Sequence, residues 1–186
     1  MAMTWSKAQI RTTQDIATFD ALILQHWNPI CETLFRLTGD WQEAEDLALE
    51  TFIRLYQRPP AQAQNLGGWL YRVATRLGLN ALRARQRRQF YEQRAAREPS
   101  SNPTEYSLLD PALAVEQEQE RQIVRCVLAG MNERSATLLL LRSAGLSYVE
   151  LATAVGVAPG SVGALLTRAQ KEFAKKYRQI SDQKEA

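Results

Sequence analysis

The 186-residue chain predicts an all-α protein of two small helical domains joined by a flexible acidic linker. Three observations lead there. Glycine and proline are scarce, at 9 and 7 residues. Long stretches repeat apolar residues at three- and four-residue steps, the period of one helix face. A segment rich in proline, serine and acid, Glu98 to Asp110, interrupts that pattern near the middle. Apolar residues make up 45% of the chain, enough for a core and too many for a disordered polymer.

From Asp15 to Leu37, Ile16, Phe19, Ile23, Trp27, Ile30, Leu34 and Leu37 form one apolar stripe, with a bend expected at Pro29. "TGD" (Thr38–Asp40) breaks and restarts the helix. Asp40 is placed to cap the next one, with Glu43 at the reciprocal capping-box position. Ala44, Leu47, Thr51, Phe52 and Leu55 make its inner face, and Pro59 and Pro60 end it. Residues Pro59–Gly68 form a loop, with Asn65 a cap for a helix running from about Gly68 toward Arg97. Leu66, Trp69, Leu70, Val73, Leu77, Ala81 and Leu82 point inward, so three helices enclose a tryptophan-bearing core. Helical pattern resumes by Leu113, with Val115, Ile123, Val127 and Leu128 on one face, and breaks at Gly130–Asn132. "ERSATLLLLRS" is the next helix, ended near Gly145. The last helix extends to about Tyr177.

The stretch "GLSYVELATAVGVAPGSVGALLTRA" (Gly145–Ala169) outlines two short helices and a corner. Ser147 and Glu150 make a capping box. Tyr148, Leu151, Ala152 and Val155 share a face, and Gly156 admits the left-handed backbone of a tight corner. Val157 plugs that corner, and Pro159 in the first turn loses no hydrogen bond. Val162, Leu165, Leu166 and Ala169 pack inward. This is the outline of a helix-turn-helix, whose second helix enters the major groove; a plain helical corner has the same outline. The outward positions of the second helix are Gly160, Ser161, Gly163, Ala164, Thr167, Arg168 and Lys171. Small residues let the backbone approach DNA, while direct base readout ordinarily uses Arg, Lys, Asn or Gln. The segment is therefore built to dock more than to spell out a sequence.

Formal net charge is +3 at a pI near 9.0, and the charge comes in blocks. Arg83–Arg97 holds six arginines against one glutamate, Glu98–Glu120 six acids and no base, and Lys171–Arg178 is basic again. No apolar run nears the roughly 20 residues that span a membrane, and the N-terminus lacks a signal peptide's apolar centre; a cytoplasmic protein without membrane insertion is expected. Cys31 and Cys126 are too few for a disulfide framework, fit no metal motif and sit in apolar surroundings, so both are expected to be buried thiols. His26 stands alone at a helix surface or core edge. No nucleophile–base pair, metal cluster or cofactor motif is present, so a catalyst is not expected.

"GDWQEAEDLALETFIRLY" (Gly39–Tyr56), "GGWLYRVATRLGLNALRARQRR" (Gly67–Arg88) and the helix-turn-helix segment resemble, in family order, three segments of the extracytoplasmic-function sigma factors, small bacterial initiation subunits of RNA polymerase. The resemblance runs from about Phe19 to Tyr177. It implies a region 2-like domain over 13–97, a linker over 98–112 and a region 4-like domain over 113–179. Glu43, Asp46, Glu50 and Arg54 would grip the coiled coil of the polymerase clamp. Clustered carboxylates stabilise no isolated helix, and a basic partner explains them; a solvated face is the alternative. Tyr71, Arg72, Arg76, Arg83, Arg85, Arg87 and Arg88 fall on the segment that reads and melts the minus-ten promoter element, with Trp69 assigned to the core. The Pro59–Gly68 loop resembles the one that holds an unstacked base. Ser161, Gly163, Ala164, Thr167, Arg168 and Lys171 would meet the minus-thirty-five element, with the domain near the polymerase flap. The acidic linker matches a connector that runs through the polymerase and whose charge mimics nucleic acid.

Implied partners are therefore core RNA polymerase, promoter DNA and, as is common in the family, an anti-sigma factor wedged between the domains. The chain departs from the family at Leu49, where glutamine is common, at Arg76, often asparagine, at Ala158, often serine, and at Gly163 and Leu165, where lysine and arginine are usual. Promoter sequence is therefore not transferable, and minus-thirty-five recognition is expected to rest more on shape. A stand-alone helix-turn-helix regulator and a sigma-like decoy for an anti-sigma factor are the alternatives. The chain closes soon after its last helix with "QISDQKEA", and no fused regulatory domain is expected.

Overall fold

Residues 13–60, 65–95 and 111–185 are described in the computed structural model. They form seven α-helices and one short 3-10 turn, with no strand among the described residues: α1 (Thr13–Thr38), α2 (Trp41–Gln57), α3 (Leu66–Ala95), α4 (Pro111–Gly130), α5 (Glu133–Ser143), α6 (Tyr148–Val155), the 3-10 turn Pro159–Ser161, and α7 (Val162–Glu185). The linker expected over 98–112 lies, up to Asp110, outside the described residues, as do residues 61–64 of the loop before α3.

Helices α1, α2 and α3 pack around Ile30, Leu34, Ala48, Phe52, Leu70 and Ala74. Trp27 stacks on Phe52 at 5.9 Å, and Trp69 packs on the same cluster, as expected of a core tryptophan. Asn65 caps α3 by accepting the Gly68 N–H at 2.7 Å. Asp40 caps α2 by accepting the Glu43 N–H at 3.1 Å, but the reciprocal half of the expected box is replaced. The Asp40 N–H instead faces the Thr38 hydroxyl at 3.3 Å. Pro29 lies within an uninterrupted α1.

In the second body both halves of the Ser147–Glu150 capping box are present. Such a cap contributes about 1 kcal/mol, and the bonds from Ser147 hold the Glu150 carboxyl below its ordinary pKa. Gly156 takes φ +70°, the left-handed corner expected there. Leu138, Leu141, Leu151, Ala154, Val162 and Leu166 form the core beneath the corner. Tyr148, expected to face inward, is instead exposed, with the Arg142 guanidinium 5.5 Å above its ring; Ala154 takes the inward place. α7 outruns its expected end near Tyr177 because Phe173, Tyr177 and Ile180 continue at helical spacing onto α4 and α5. Cys126 is exposed rather than buried, because Val127 and Leu128 take the inward face of α4. Cys31 is buried, and that burial, with the charge of Glu45, pushes its thiol up to about 11, which keeps it protonated and inert.

The two bodies share a core. Leu37, Leu79 and Leu82 from the first meet Val127, Leu128, Met131, Ala136 and Leu140 from the second. Arginines clasp helix ends across this seam. Arg83 donates from Nε to the Ala129 carbonyl and from Nη2 to the Met131 carbonyl, both at 3.1 Å. Arg36 donates to the Ser143 carbonyl at 3.4 Å, and Arg125 to the Arg36 carbonyl at 3.3 Å. Each cation thus meets the negative end of an opposing helix. Gly39, at φ +70°, sits under the Arg125 guanidinium, whose Nη2 would lie 2.6 Å from an added Cβ. A side chain there would displace the clasp.

Candidate nucleic-acid and protein interfaces

On α2 the residues expected to grip a protein partner stand on its solvent side. Asp46 is exposed; Glu43 and Glu50 are half-buried. Arg54 Nε meets Glu50 Oε1 at 2.7 Å, so Glu50 arrives paired within its own helix. The structure adds apolar residues that charge patterning alone missed. Leu49, Ile53 and Tyr56 are 51%, 38% and 56% exposed, and Leu49 and Ile53 lie at helical spacing beside Asp46 and Glu50. An acidic rim around exposed aliphatic groups is the chemistry of a protein-binding face more than of a solvated one. The signal was in the sequence: Leu49 interrupts an acidic run at a position pointing away from Phe52.

On α3, Arg72, Arg76, Arg83 and Arg87 recur every four or seven residues and share one stripe. Arg72, Arg87 and Arg88 are exposed. Arg76 forms an exposed ion pair with Glu133 of α5 at 3.6 Å, a pairing of little worth in water. Arg83 is taken up by the end of α4, and Arg85 donates to the Thr38 carbonyl at 3.0 Å, capping α1. The expected surface of six phosphate-binding arginines is therefore split here. Three are open, one is loosely paired, and two hold helix ends. Tyr71, the expected stacking aromatic, is half-buried where α1, α3 and α6 converge. Burial, then Glu150 of α6 and Glu32 of α1, raise its phenol pKa. His26 meets the Tyr71 ring edge-on at 6.2 Å, and burial lowers its pKa, so it is a neutral packing group.

On the helix-turn-helix, Ser161, Ala164, Thr167, Arg168 and Lys171 all lie exposed on one face. Gly163 is half-buried, with the Tyr148 ring 3.7 Å from where its Cβ would be. The Thr167 hydroxyl donates to the Gly163 carbonyl at 3.0 Å, leaving an acceptor outward. No side chain caps the turn at Ala158; the Ser161 N–H donates to the Ala158 carbonyl at 2.9 Å and the Val162 N–H to the Pro159 carbonyl. These three faces, on α2, α3 and α7, are separate. Between the bodies a cleft of about 710 Å³ is lined by Phe35, Val124 and Leu139 and rimmed by Arg36, Arg121 and Glu120. Among the described residues no group of three or more His, Cys, Asp or Glu is placed to hold a metal ion, and no single helix is long and apolar enough to cross a membrane.

A family model described as Sigma-70 region 2 matches residues 22–88. The ECF RNA polymerase sigma factor SigE of Mycolicibacterium smegmatis is 30% identical over 164 residues, covering 84% of this chain and 60% of that protein. The RNA polymerase sigma-H factor of Pseudomonas aeruginosa is 30% identical over 171 residues, covering 87% of this chain and 86% of that protein. The chain thus spans less than two thirds of the first of these relatives and most of the second. The ECF sigma factor SigW of Bacillus subtilis is 25% identical over 159 residues, covering 81% of this chain and 84% of that protein. Among solved structures, the sigma factor RpoE of Bartonella quintana, crystallised with the anti-sigma factor NepR, shares the fold at a TM-score of 0.50 and 20% identity, covering 87% of this chain and 97% of that one.

Proposed function

We propose that this chain, which belongs to the extracytoplasmic-function sigma factors of RNA polymerase, binds core polymerase and directs it to promoters. In this proposal α2 docks on the polymerase clamp, α3 engages the minus-ten element, and the start of α7 engages the minus-thirty-five element. One observation carries it: residues 22–88, the span matched as region 2, contain both the acidic–aliphatic face of α2 and the arginine stripe of α3. All covalent chemistry belongs to the polymerase, which places this chain beside it in the cytoplasm.

The shared core between the bodies bears on the mechanism. The names of the two promoter elements set them about 25 base pairs apart, roughly 85 Å of duplex at about 3.4 Å per pair. A chain whose α6 packs on α3 does not span that distance. Engagement therefore requires the seam at Leu37, Leu79 and Met131 to part, which frees Arg76 and Arg83 for phosphate. Polymerase supplies the differential binding by offering each body its own dock. The apolar cleft between the bodies, rimmed by charges of both signs, would be the seat for an anti-sigma factor, which would hold the closed form.

Footprinting tests this directly. Holoenzyme assembled from the chain and core polymerase is expected to protect two separated patches of a genomic promoter fragment, and the chain alone neither. One patch protected by the chain alone would instead favour a stand-alone regulator. No protection with polymerase present would favour a decoy.

A further inference from the structure

Thr33, Thr38, Thr51, Thr153 and Thr167 each donate the side-chain hydroxyl to the carbonyl one helical turn back, at 2.8–3.2 Å. Thr75 of α3 does not. It is fully buried, and its Oγ1 has no hydrogen-bond partner, which holds for no other buried side-chain oxygen or nitrogen among the described residues. A helical threonine reaches the carbonyl behind it in one of its two ordinary rotamers. The packing around Thr75, rather than the helix, therefore decides where its hydroxyl points. Its place on α3 says what supplies that packing. Tyr71, one turn before it, touches the core of each body. Leu79, one turn after it, belongs to the shared seam. Its neighbour Arg76 pairs with Glu133 of α5. Thr75 thus lies on the row of α3 that the second body covers.

We propose that Thr75 sets how readily the two bodies part: closure buries its hydroxyl unpaired, and opening returns that hydroxyl to solvent. A buried hydroxyl without a partner destabilises the state that contains it. The rest of the seam is apolar or hydrogen-bonded, through Leu37, Leu79 and Val127 and through the two bonds of Arg83. A single polar group left unmatched in such a surface shifts the balance toward separation without weakening either body's own core. Free rotation in the open form also lets the hydroxyl reach the Tyr71 carbonyl, as the other five threonines reach theirs. The effect on the closed–open balance stands on the seam alone. Its consequence for polymerase rests on the sigma-factor function above, in which the open form is the one that engages both promoter elements.

The test uses the full chain with a dye pair at Cys126, exposed on α4, and at Leu24→Cys, exposed on α1. Cys31 is buried and escapes labelling. Single-molecule energy transfer then counts closed and open molecules in the absence of polymerase. Thr75→Val keeps the branched shape and removes the hydroxyl. It is expected to lower the opening constant about 5- to 150-fold and to raise the thermal midpoint. Apparent affinity for core polymerase should fall by the same factor while the closed form predominates, since only the open form docks on it fully. Thr75→Ser retains the hydroxyl and should open at least as readily as the wild type. An opening constant or polymerase affinity that is unchanged or higher in Thr75→Val would overturn the proposal, because the hydroxyl would then be idle or satisfied in the closed form. The expected energy-transfer shift in a chain that never binds core polymerase would leave the role of Thr75 standing and overturn the sigma-factor function instead.

Discussion

Replacing Asp46 and Glu50 together by lysine is expected to weaken association with core RNA polymerase about 100-fold, while far-UV dichroism and the thermal midpoint stay close to wild type. The first half follows from juxtaposition: two carboxylates that meet a basic surface become two cations that repel it, and a 100-fold loss is about 3 kcal/mol. The second half follows from position. Asp46 is exposed, and Glu50 gives up only a helix-surface pair with Arg54, worth a few tenths of a kcal/mol. Neither touches the Phe52 core. Leu49 and Ile53, exposed beside them, would supply the apolar part of that interface. Titration of labelled core polymerase with the variant measures the effect. Unchanged affinity would remove α2 from the interface.

The second large effect concerns α3. Changing Arg72, Arg87 and Arg88 to glutamine is expected to lower promoter-fork binding by holoenzyme roughly 10²- to 10³-fold at about 0.1 M salt. The slope of log affinity against log salt should become shallower by about 0.9 for each phosphate that is no longer neutralised. These three are chosen because they are open in the structure. Arg83 is left out because its removal would also strip the end of α4 of two hydrogen bonds and loosen the closed form, mixing two effects of opposite sign. A salt slope equal to that of the wild type would return the three arginines to the role of a solvated helix face.

What was legible in the sequence was what neighbours along the chain decide. The Ser147–Glu150 box, the Gly156 corner and the Asn65 cap are local hydrogen-bond or backbone problems, and each has few solutions. Apolar spacing likewise located the helices among the described residues, with boundaries displaced at ends such as the run of α7 to Glu185. Periodicity says that a residue faces inward but not which interior it faces. Leu37 and Leu82 looked like the core of their own body and instead join the seam, together with Leu79, against Val127 and Met131. Once that seam forms, Arg83 lies beside the carbonyls of α4, a partner 46 residues away that charge counting cannot supply. Tyr148 and Cys126 went astray for a related reason: each sits where a helix turns between core and surface, and tertiary packing chose their neighbours instead.

In the proposed function this one chain hands core polymerase a start point. Run-off transcription with purified chain, core polymerase and fragmented genomic DNA, with the 5′ ends of the products mapped, tests it most directly. The account predicts a small set of sharp start sites that appear only when the chain is added and that share upstream elements at a constant spacing. A transcript pattern identical with and without the chain, from protein that remains folded, would contradict it.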